Sequence, residues 1–247
     1  MKAYAIIPSG GIGKRINSSL PKQYLQINGK ELIAYTLEIF QNCEQIDEII
    51  IPAQKEYFNL LNIIKSKYGF SKLKNIVEGG NERQISVFNA LLSIPAEDDD
   101  IIIIHDAARP LLPHKVLLNA INTAREFNST IVAIKAKDTL VKGNEYVEDY
   151  INRDEIFYVQ TPQIFRYKIL YESMVLANKS NFIGSDESIL VQRASNKIKI
   201  VEGSIINYKV TTESDLDLLR LIVNIETSWK INCLLIYNFN AIQGIKC

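Results

Sequence analysis

Tyr4-Ala5-Ile6-Ile7-Pro8 is a short apolar run that leads directly into Ser9-Gly10-Gly11-Ile12-Gly13-Lys14-Arg15 and then into Pro21-Lys22-Gln23-Tyr24-Leu25. A buried strand opening into three glycines within four positions, with two fixed cations behind them, is an arrangement for holding phosphates. Glycine tolerates positive φ and has no Cβ to obstruct a ligand, so such a loop can turn sharply and aim its amides inward. Arg15 and Lys22 supply charge. The stretch equally suits the tight first turn of any Rossmann-like sheet, and only the spacing of the basic residues separates the two readings. Two common phosphate motifs do not fit. A Walker A loop would need Ser or Thr where Arg15 stands, and its glycines would lie further apart. A dinucleotide fingerprint would need a third glycine where Ile16 stands, which disfavours NAD.

Composition narrows the class. The chain has 247 residues, 47% hydrophobic and 23% charged, enough for a sizeable core. Lys plus Arg and Asp plus Glu balance at 28 each, so no general field recruits nucleic acid or an anionic membrane, and phosphate binding must be local. Cys43, Cys233 and Cys247 are widely spaced with no C-x-x-C, which argues against a disulfide framework and a zinc site. With no signal-peptide pattern before the first strand and no run of about 18 apolar residues, the sequence reads as cytoplasmic and not membrane-spanning.

Outward from the opening loop, apolar runs alternate with helical patterns: Tyr4–Pro8 then Leu32–Gln41, Ile46–Ala53 then Glu56–Lys67, Leu73–Glu78 then Gln84–Ile94, Ile101–His105 then His114–Phe127, and Ser129–Ala136. Ile- and Val-rich runs, polar only at their ends, imply strands covered on both faces. The expected fold is α/β, a Rossmann-like, mostly parallel sheet with helices on both sides. Ligands then sit beyond the carboxyl ends of the strands, which nominates the loops Ser9–Arg15, Gly79–Arg83 and Asp106–Arg109. The pattern breaks over about 137–158, where polar residues with scattered Val and Tyr resemble a hairpin leaving the sheet. Helices follow at Lys168–Asn178, Asp186–Arg193 and from Ser214 to about Val223, with a strand at Lys197–Glu202 and a loop at Thr161-Pro162-Gln163. The tail, residues 226–247, contains an apolar run with no evident partner.

Asp106 follows the apolar run Ile101–Ile104, where a carboxylate can hold a hydrated magnesium bridging a nucleotide's phosphates; it can equally cap the following turn, with Arg109 paired to a nearby acid. His105 reads as a packed residue and His114 as surface. Gly79-Gly80-Asn81-Glu82-Arg83-Gln84-Ile85-Ser86-Val87 is a second strand-to-helix turn. Its amides, with Asn81 and Ser86, could read a base or sugar edge, or simply cap the helix. Lys209, alone before a helix, reads by itself as solvated surface.

Together these residues closely resemble the 2-C-methyl-D-erythritol 4-phosphate cytidylyltransferases of non-mevalonate isoprenoid biosynthesis. Seven ordered motifs between about Met1 and Val223 carry the resemblance. They are Gly10-Gly11-Ile12-Gly13-Lys14-Arg15 with Lys22 seven residues on, the turn Gly79–Val87, His105-Asp106-Ala107-Ala108-Arg109-Pro110, and Lys137-Asp138-Thr139. Arg153 eight residues before Thr161-Pro162-Gln163, Ser185-Asp186-Glu187, and Asn207-Tyr208-Lys209-Val210-Thr211-Thr212 complete them.

The resemblance implies a nucleotide-diphospho-sugar transferase type of fold, with one nucleotidyltransferase domain over 1–225. It implies a reaction joining CTP to a sugar-alcohol phosphate with loss of pyrophosphate, aided by Mg²⁺ or another divalent cation. Ser9, Gly10, Gly11 and Gly13 would surround CTP, Gly80, Asn81 and Ser86 the cytosine, and Asp106 the metal. Arg15 and Lys22 would be catalytic, neutralising charge on the α-phosphate. The polar excursion would be an arm exchanged within a homodimer, bringing Thr139 and Arg153 to the acceptor's phosphate together with Lys209. Gly10 stands where alanine is usual in this family. A Gly-Gly form is frequent in the sister ribitol-5-phosphate cytidylyltransferases, which gives that acceptor as an alternative, whereas Ala108, Ser86-Val87 and Ser185-Asp186-Glu187 lean back to methylerythritol phosphate. A third reading is a non-catalytic nucleotide-binding protein of the same fold.

Overall fold

The computed structural model describes residues 1–11 and 20–225. Gly13 and Arg15 of the opening loop, and the tail from residue 226, lie outside the described residues. Seven strands form the main sheet: β1 (Ala3–Ile6), β4 (Glu48–Ala53), β5 (Leu73–Glu78), β6 (Ile101–Ile104), β7 (Ser129–Lys135), β10 (Phe157–Arg166) and β11 (Lys199–Glu202), in the order β11-β7-β10-β6-β1-β4-β5. All pair in parallel except β10, which runs antiparallel to both its neighbours.

Alternation along the strands divides the core. Ala3, Ala5, Ile101 and Ile103 face a cluster that includes Leu37 and Phe40 of α1 (Leu32–Gln41), Leu61 and Ile64 of α2 (Phe58–Tyr68), and Leu117 and Ile121 of α4 (His114–Phe127). Tyr4, Ile6, Ile102 and Ile104 face the other side, against Val87 and Leu91 of α3 (Arg83–Leu92), Leu170 and Met174 of α5 (Tyr167–Lys179), and Leu190 of α6 (Glu187–Arg193). The two-faced burial explains the unbroken run Ile101–Ile104, each of whose side chains is fully buried and contributes about 1.5–3 kcal/mol. α4 carries Leu117, Ala120, Ile121 and Ala124 on one stripe and stops at Asn128, whose φ of 69° breaks the helix.

Two features depart from the sequence expectation. Thr161-Pro162-Gln163 is not a loop but the middle of β10. Proline lacks a ladder donor and normally argues against a central strand; here the register shifts between Val159 and Gln163, so the ladder steps around Pro162 and resumes on both sides. A short hairpin, β2 (Gln26–Ile27) with β3 (Lys30–Glu31), was also not foreseen. It packs Ile27 against Leu216, Leu219 and Val223 of the last helix, over residues 213–225, in a third cluster that also holds Val210 and Ala108. That cluster holds the segment carrying Lys209 over the end of β6.

Over the polar excursion, β8 (Leu140–Gly143) and β9 (Val147–Ile151) form a separate antiparallel hairpin. Tyr146 is 79% and Tyr150 69% exposed, with Val141 and Val147 also open to solvent. Among the described residues no helix is long and apolar enough to cross a membrane.

Candidate active site

Four loops that leave the carboxyl ends of parallel strands meet in one cavity of about 840 Å³: Pro8–Gly11 after β1, Gln54-Lys55 after β4, Gly79–Ser86 after β5, and Asp106–Ala108 after β6. Lys22, Gln23, Lys209 and Thr211 complete its lining. Of the residues nominated from sequence, Ser9, Gly10, Gly11, Lys22, Gly80, Asn81, Ser86, Asp106 and Lys209 all line this space. Thr139 and Arg153 do not; both are exposed at the arm, where Arg153 donates to the Lys137 carbonyl at 2.6 Å.

The opening loop is tied down by its neighbours. Ser9 Oγ donates to Tyr24 Oη at 2.9 Å, and Gln23 Nε2 donates to the carbonyls of Ser9 at 2.7 Å and Gly11 at 3.1 Å. Positive φ, however, plays no part at Gly10 or Gly11. A methyl at Gly10 would sit 3.8 Å from Ser86 Oγ, an ordinary contact, and one at Gly11 would meet none of the described residues within 4 Å. Gly80 differs: a Cβ there would drive into Ile85 Cγ2. The glycine requirement therefore falls on the second turn, where Ser86 Oγ accepts the Gly80 N–H at 3.0 Å.

Asp106 is the electrostatic centre. Its Oδ2 lies 3.1 Å from Lys209 Nζ and 3.3 Å from Arg109 Nε, and its Oδ1 lies 3.5 Å from Arg83 Nη2. Burial alone would push its pKa up, but Lys209, Arg83 and Arg109 outweigh burial and hold the carboxyl well below the usual carboxylate range. Arg109 Nη1 also donates to the Asn207 carbonyl at 2.7 Å, and Lys22 Nζ donates to the Val210 carbonyl at 2.6 Å. Arg109 thus pairs with Asp106, as one of the two readings expected, and Asp106 lines the cavity. Arg83 and Glu187, which lie within the glycine turn and the Ser185-Asp186-Glu187 motif, belong to the same cluster. Their signal was a charge inside an otherwise helical or capping pattern, which sequence alone does not distinguish from surface.

No three His, Cys, Asp or Glu side chains gather to hold a metal among the described residues. The described residues build no metal cage of their own. Mg²⁺ needs only one or two carboxylates where substrate phosphates supply its other ligands, and Asp106, ionised and lining the cavity, fits that limited role.

A family model described as 2-C-methyl-D-erythritol 4-phosphate cytidylyltransferase matches residues 3–224. The chain belongs to this family. A Geobacter metallireducens protein bearing that name is 39% identical over 225 residues, covering 87% of this chain and 95% of the relative. One from Clostridium acetobutylicum is 38% identical, over 86% and 93%. Among solved structures, the 4-diphosphocytidyl-2C-methyl-D-erythritol synthase of Anaerococcus prevotii superposes with a TM-score of 0.79 at 29% identity, covering 90% of this chain and 96% of that one. The Francisella tularensis 2-C-methyl-D-erythritol 4-phosphate cytidylyltransferase gives 0.76 at 28% identity, over 90% and 99%.

His105 shows how the His105–Pro110 motif is braced in this chain. It is fully buried, with Nε2 3.1 Å from the Arg109 carbonyl and Nδ1 3.0 Å from Thr161 Oγ1. Nε2 must donate to a carbonyl, so the neutral ring accepts the Thr161 hydroxyl at Nδ1, and Thr161 Oγ1 accepts the Asp106 N–H at 3.1 Å. Burial pushes the His105 pKa down to about 4. The unfolded chain, with histidine near 6.5, binds the proton that the fold refuses. Stability from this residue is complete above pH 6.5 and is lost as pH falls toward 4. In denaturant unfolding at pH 7 and pH 4.5, His105→Gln should lose about 2 kcal/mol less than the parent protein over that interval. Equal losses in both proteins would contradict the assignment. Thermal unfolding should likewise separate the glycines: Gly10→Ala should match the parent, while Gly80→Ala should cost about 1–3 kcal/mol through displacement of Ile85.

Proposed function

We propose that this nucleotidyltransferase joins CTP to 2-C-methyl-D-erythritol 4-phosphate through the cavity at the strand ends. A phosphate oxygen of the acceptor attacks the α-phosphorus of CTP and forms a new P–O bond. The bond from the α-phosphorus to the α–β bridging oxygen breaks, pyrophosphate leaves, and 4-diphosphocytidyl-2-C-methyl-D-erythritol remains. The observation that carries this reading is the convergence of Lys22, Lys209 and Asp106 with the two glycine turns on one cavity, in a chain matching the family over residues 3–224.

The acceptor phosphate is already a competent nucleophile, so no general base is required. The barrier is repulsion between two anions, and positioned cations lower it. In our reading, Gly80, Asn81 and Ser86 hold the cytosine end, Ser9 to Gly13 wrap the nucleotide, and Lys22 with Arg15 neutralise charge that grows on the α-phosphate. Lys209 serves the acceptor phosphate. A divalent cation on the triphosphate, with Asp106 as its protein carboxylate, would add further neutralisation. His105, neutral and buried behind the loop, holds no transferable charge at working pH.

The ribitol phosphate alternative leaned on Gly10. Because a Cβ there fits without strain, the Gly-Gly form marks no change of pocket shape, and the relatives at 36–39% identity carry the methylerythritol name. A pyrophosphate-release assay with CTP and each sugar phosphate tests the choice: release with methylerythritol phosphate and little with ribitol phosphate is expected. Lys22→Ala should lower kcat by about two powers of ten while leaving CTP affinity within a few-fold. Equal losses in both would remove Lys22 from the transition state.

The arm belongs to a homodimer in this reading. Thr139 and Arg153 do not line its own cavity, and its apolar residues Val141, Tyr146, Val147 and Tyr150 are exposed on the chain alone. A second copy would bury them and receive Arg153 at its acceptor site. Co-refolding the inactive variants Lys22→Ala and Arg153→Ala should then restore about a quarter of parental activity, since half the dimers would carry one intact site of two. No recovery on mixing would place Arg153 in its own chain's site.

A further inference from the structure

The fully buried Glu187, at the start of α6, accepts Arg83 Nη1 with both carboxylate oxygens at 2.6 Å. Arg83 stands at the start of α3, 104 residues away in sequence, and its side chain lines the nucleotide cavity. Its other terminal nitrogen, Nη2, remains 3.5 Å from Asp106 Oδ1, a longer contact than the two to Glu187. Arg83 therefore sits between two carboxylates and is held closer to the one that cannot touch a ligand. α6 is itself fixed at this end: Asp186 accepts the Ile189 N–H at 3.1 Å and Gln163 Nε2 at 2.9 Å, and Gln163 Oε1 accepts the Ser188 N–H at 3.0 Å. Gln163 lies on β10 beside β6. The Glu187 carboxylate is thus rigidly mounted, and the flexible member of the pair is the arginine in the cavity.

Without a charge at Glu187, the strongest remaining attraction on Arg83 is Asp106. Asp106 already receives Arg109 and Lys209. A third cation drawn fully onto it would repel Lys209, whose side chain is 40% exposed and the freest of the three to move. The geometry points to Glu187 as a positioning residue for nucleotide binding: by retaining Arg83 on the cavity wall, it leaves Asp106 to Lys209 and keeps the phosphate-facing cations in place. This rests on the reading that CTP occupies the cavity. Glu187 touches no substrate and acts only through Arg83.

Calorimetric titration of CTP into the full-length protein, alongside steady-state kinetics, tests the assignment. Glu187→Gln, which preserves shape and removes charge, should weaken CTP binding and raise the KM for CTP by about tenfold, raise the acceptor's KM as well through the displaced Lys209, and change kcat less than threefold. Glu187→Asp should recover part of that loss, since the charge returns on a shorter side chain. The double variant Glu187→Gln/Arg83→Gln should bind CTP no more weakly than Glu187→Gln, because the cation whose release does the damage is gone. A purely structural carboxylate would instead lower the melting temperature and the active fraction without moving the KM for CTP, and that result would overturn the proposal. Additive losses in the double variant would also overturn it. Parent protein that fails to bind CTP at all would overturn the reading of the cavity itself and this inference with it, whereas normal parental binding with an unaffected Glu187→Gln variant would sink only the positioning role.

Discussion

A carboxylate that must stay charged while buried governs this site. Asp106 stands at the end of β6, between strands that are covered on both faces, where an isolated ionised group would cost several kcal/mol. It is stable there because Arg83, Arg109 and Lys209 reach it from three separate parts of the chain. Each cation then needs its own anchorage: Arg83 takes Glu187, Arg109 takes the Asn207 carbonyl, and Lys209 rides on a segment held by the Val210 N–H bond to the Ala108 carbonyl at 2.9 Å. Desolvation at a single position in this way recruits α3, α6 and the approach to the last helix.

The charge balance of the cluster matters for chemistry. Around the cavity, among the described residues, five cations, Lys22, Lys55, Arg83, Arg109 and Lys209, face four carboxylates, Glu78, Glu82, Asp106 and Glu187, with Lys55 and Glu78 paired at the rim. The excess is positive where a triphosphate would lie, although the chain as a whole has a formal net charge of zero. Local surplus in a cavity acts over a few ångströms with little screening, whereas a uniformly basic surface would attract any polyanion. Neutral overall charge and a cationic pocket together suit a small phosphorylated substrate better than nucleic acid.

The sheet was legible because its strands are covered on both faces. Runs such as Ile101–Ile104 admit few other readings, and Leu32–Gln41, Leu73–Glu78 and His114–Phe127 match the observed elements end to end. β10 was not legible, because the information that makes it a strand lies in its neighbours. β6 and β7 supply the ladder on either side, and Pro162 falls where the register shifts. Cavity residues on strand-end loops could be read from position alone, since a parallel sheet sends all such loops to one edge. Arg83 and Glu187 could not, because their roles depend on a contact spanning 104 residues. The glycines split along the same line. Their presence was visible, but which of them the backbone requires depends on Ile85 and Ser86, which only the folded turn brings against them.

β10 also joins two regions that the sequence presents as separate. Its first residues, Phe157 to Val159, are exposed as it returns from the arm, while Thr161 in its middle bonds both His105 and the Asp106 N–H. One residue before, Gln160 donates to the Ser204 carbonyl at 2.8 Å and accepts from Asn207, whose backbone carbonyl holds Arg109. The arm and the cavity are therefore joined by one strand, whose Thr161 bonds the Asp106 backbone and whose Gln160 bonds the Asn207 side chain. The proline that interrupts the ladder frees this stretch from regular pairing with β7, and Gln160 and Thr161 use their side chains to bind the active-site loops. The irregularity that hid β10 in the sequence is thus the feature that couples the sheet to the site.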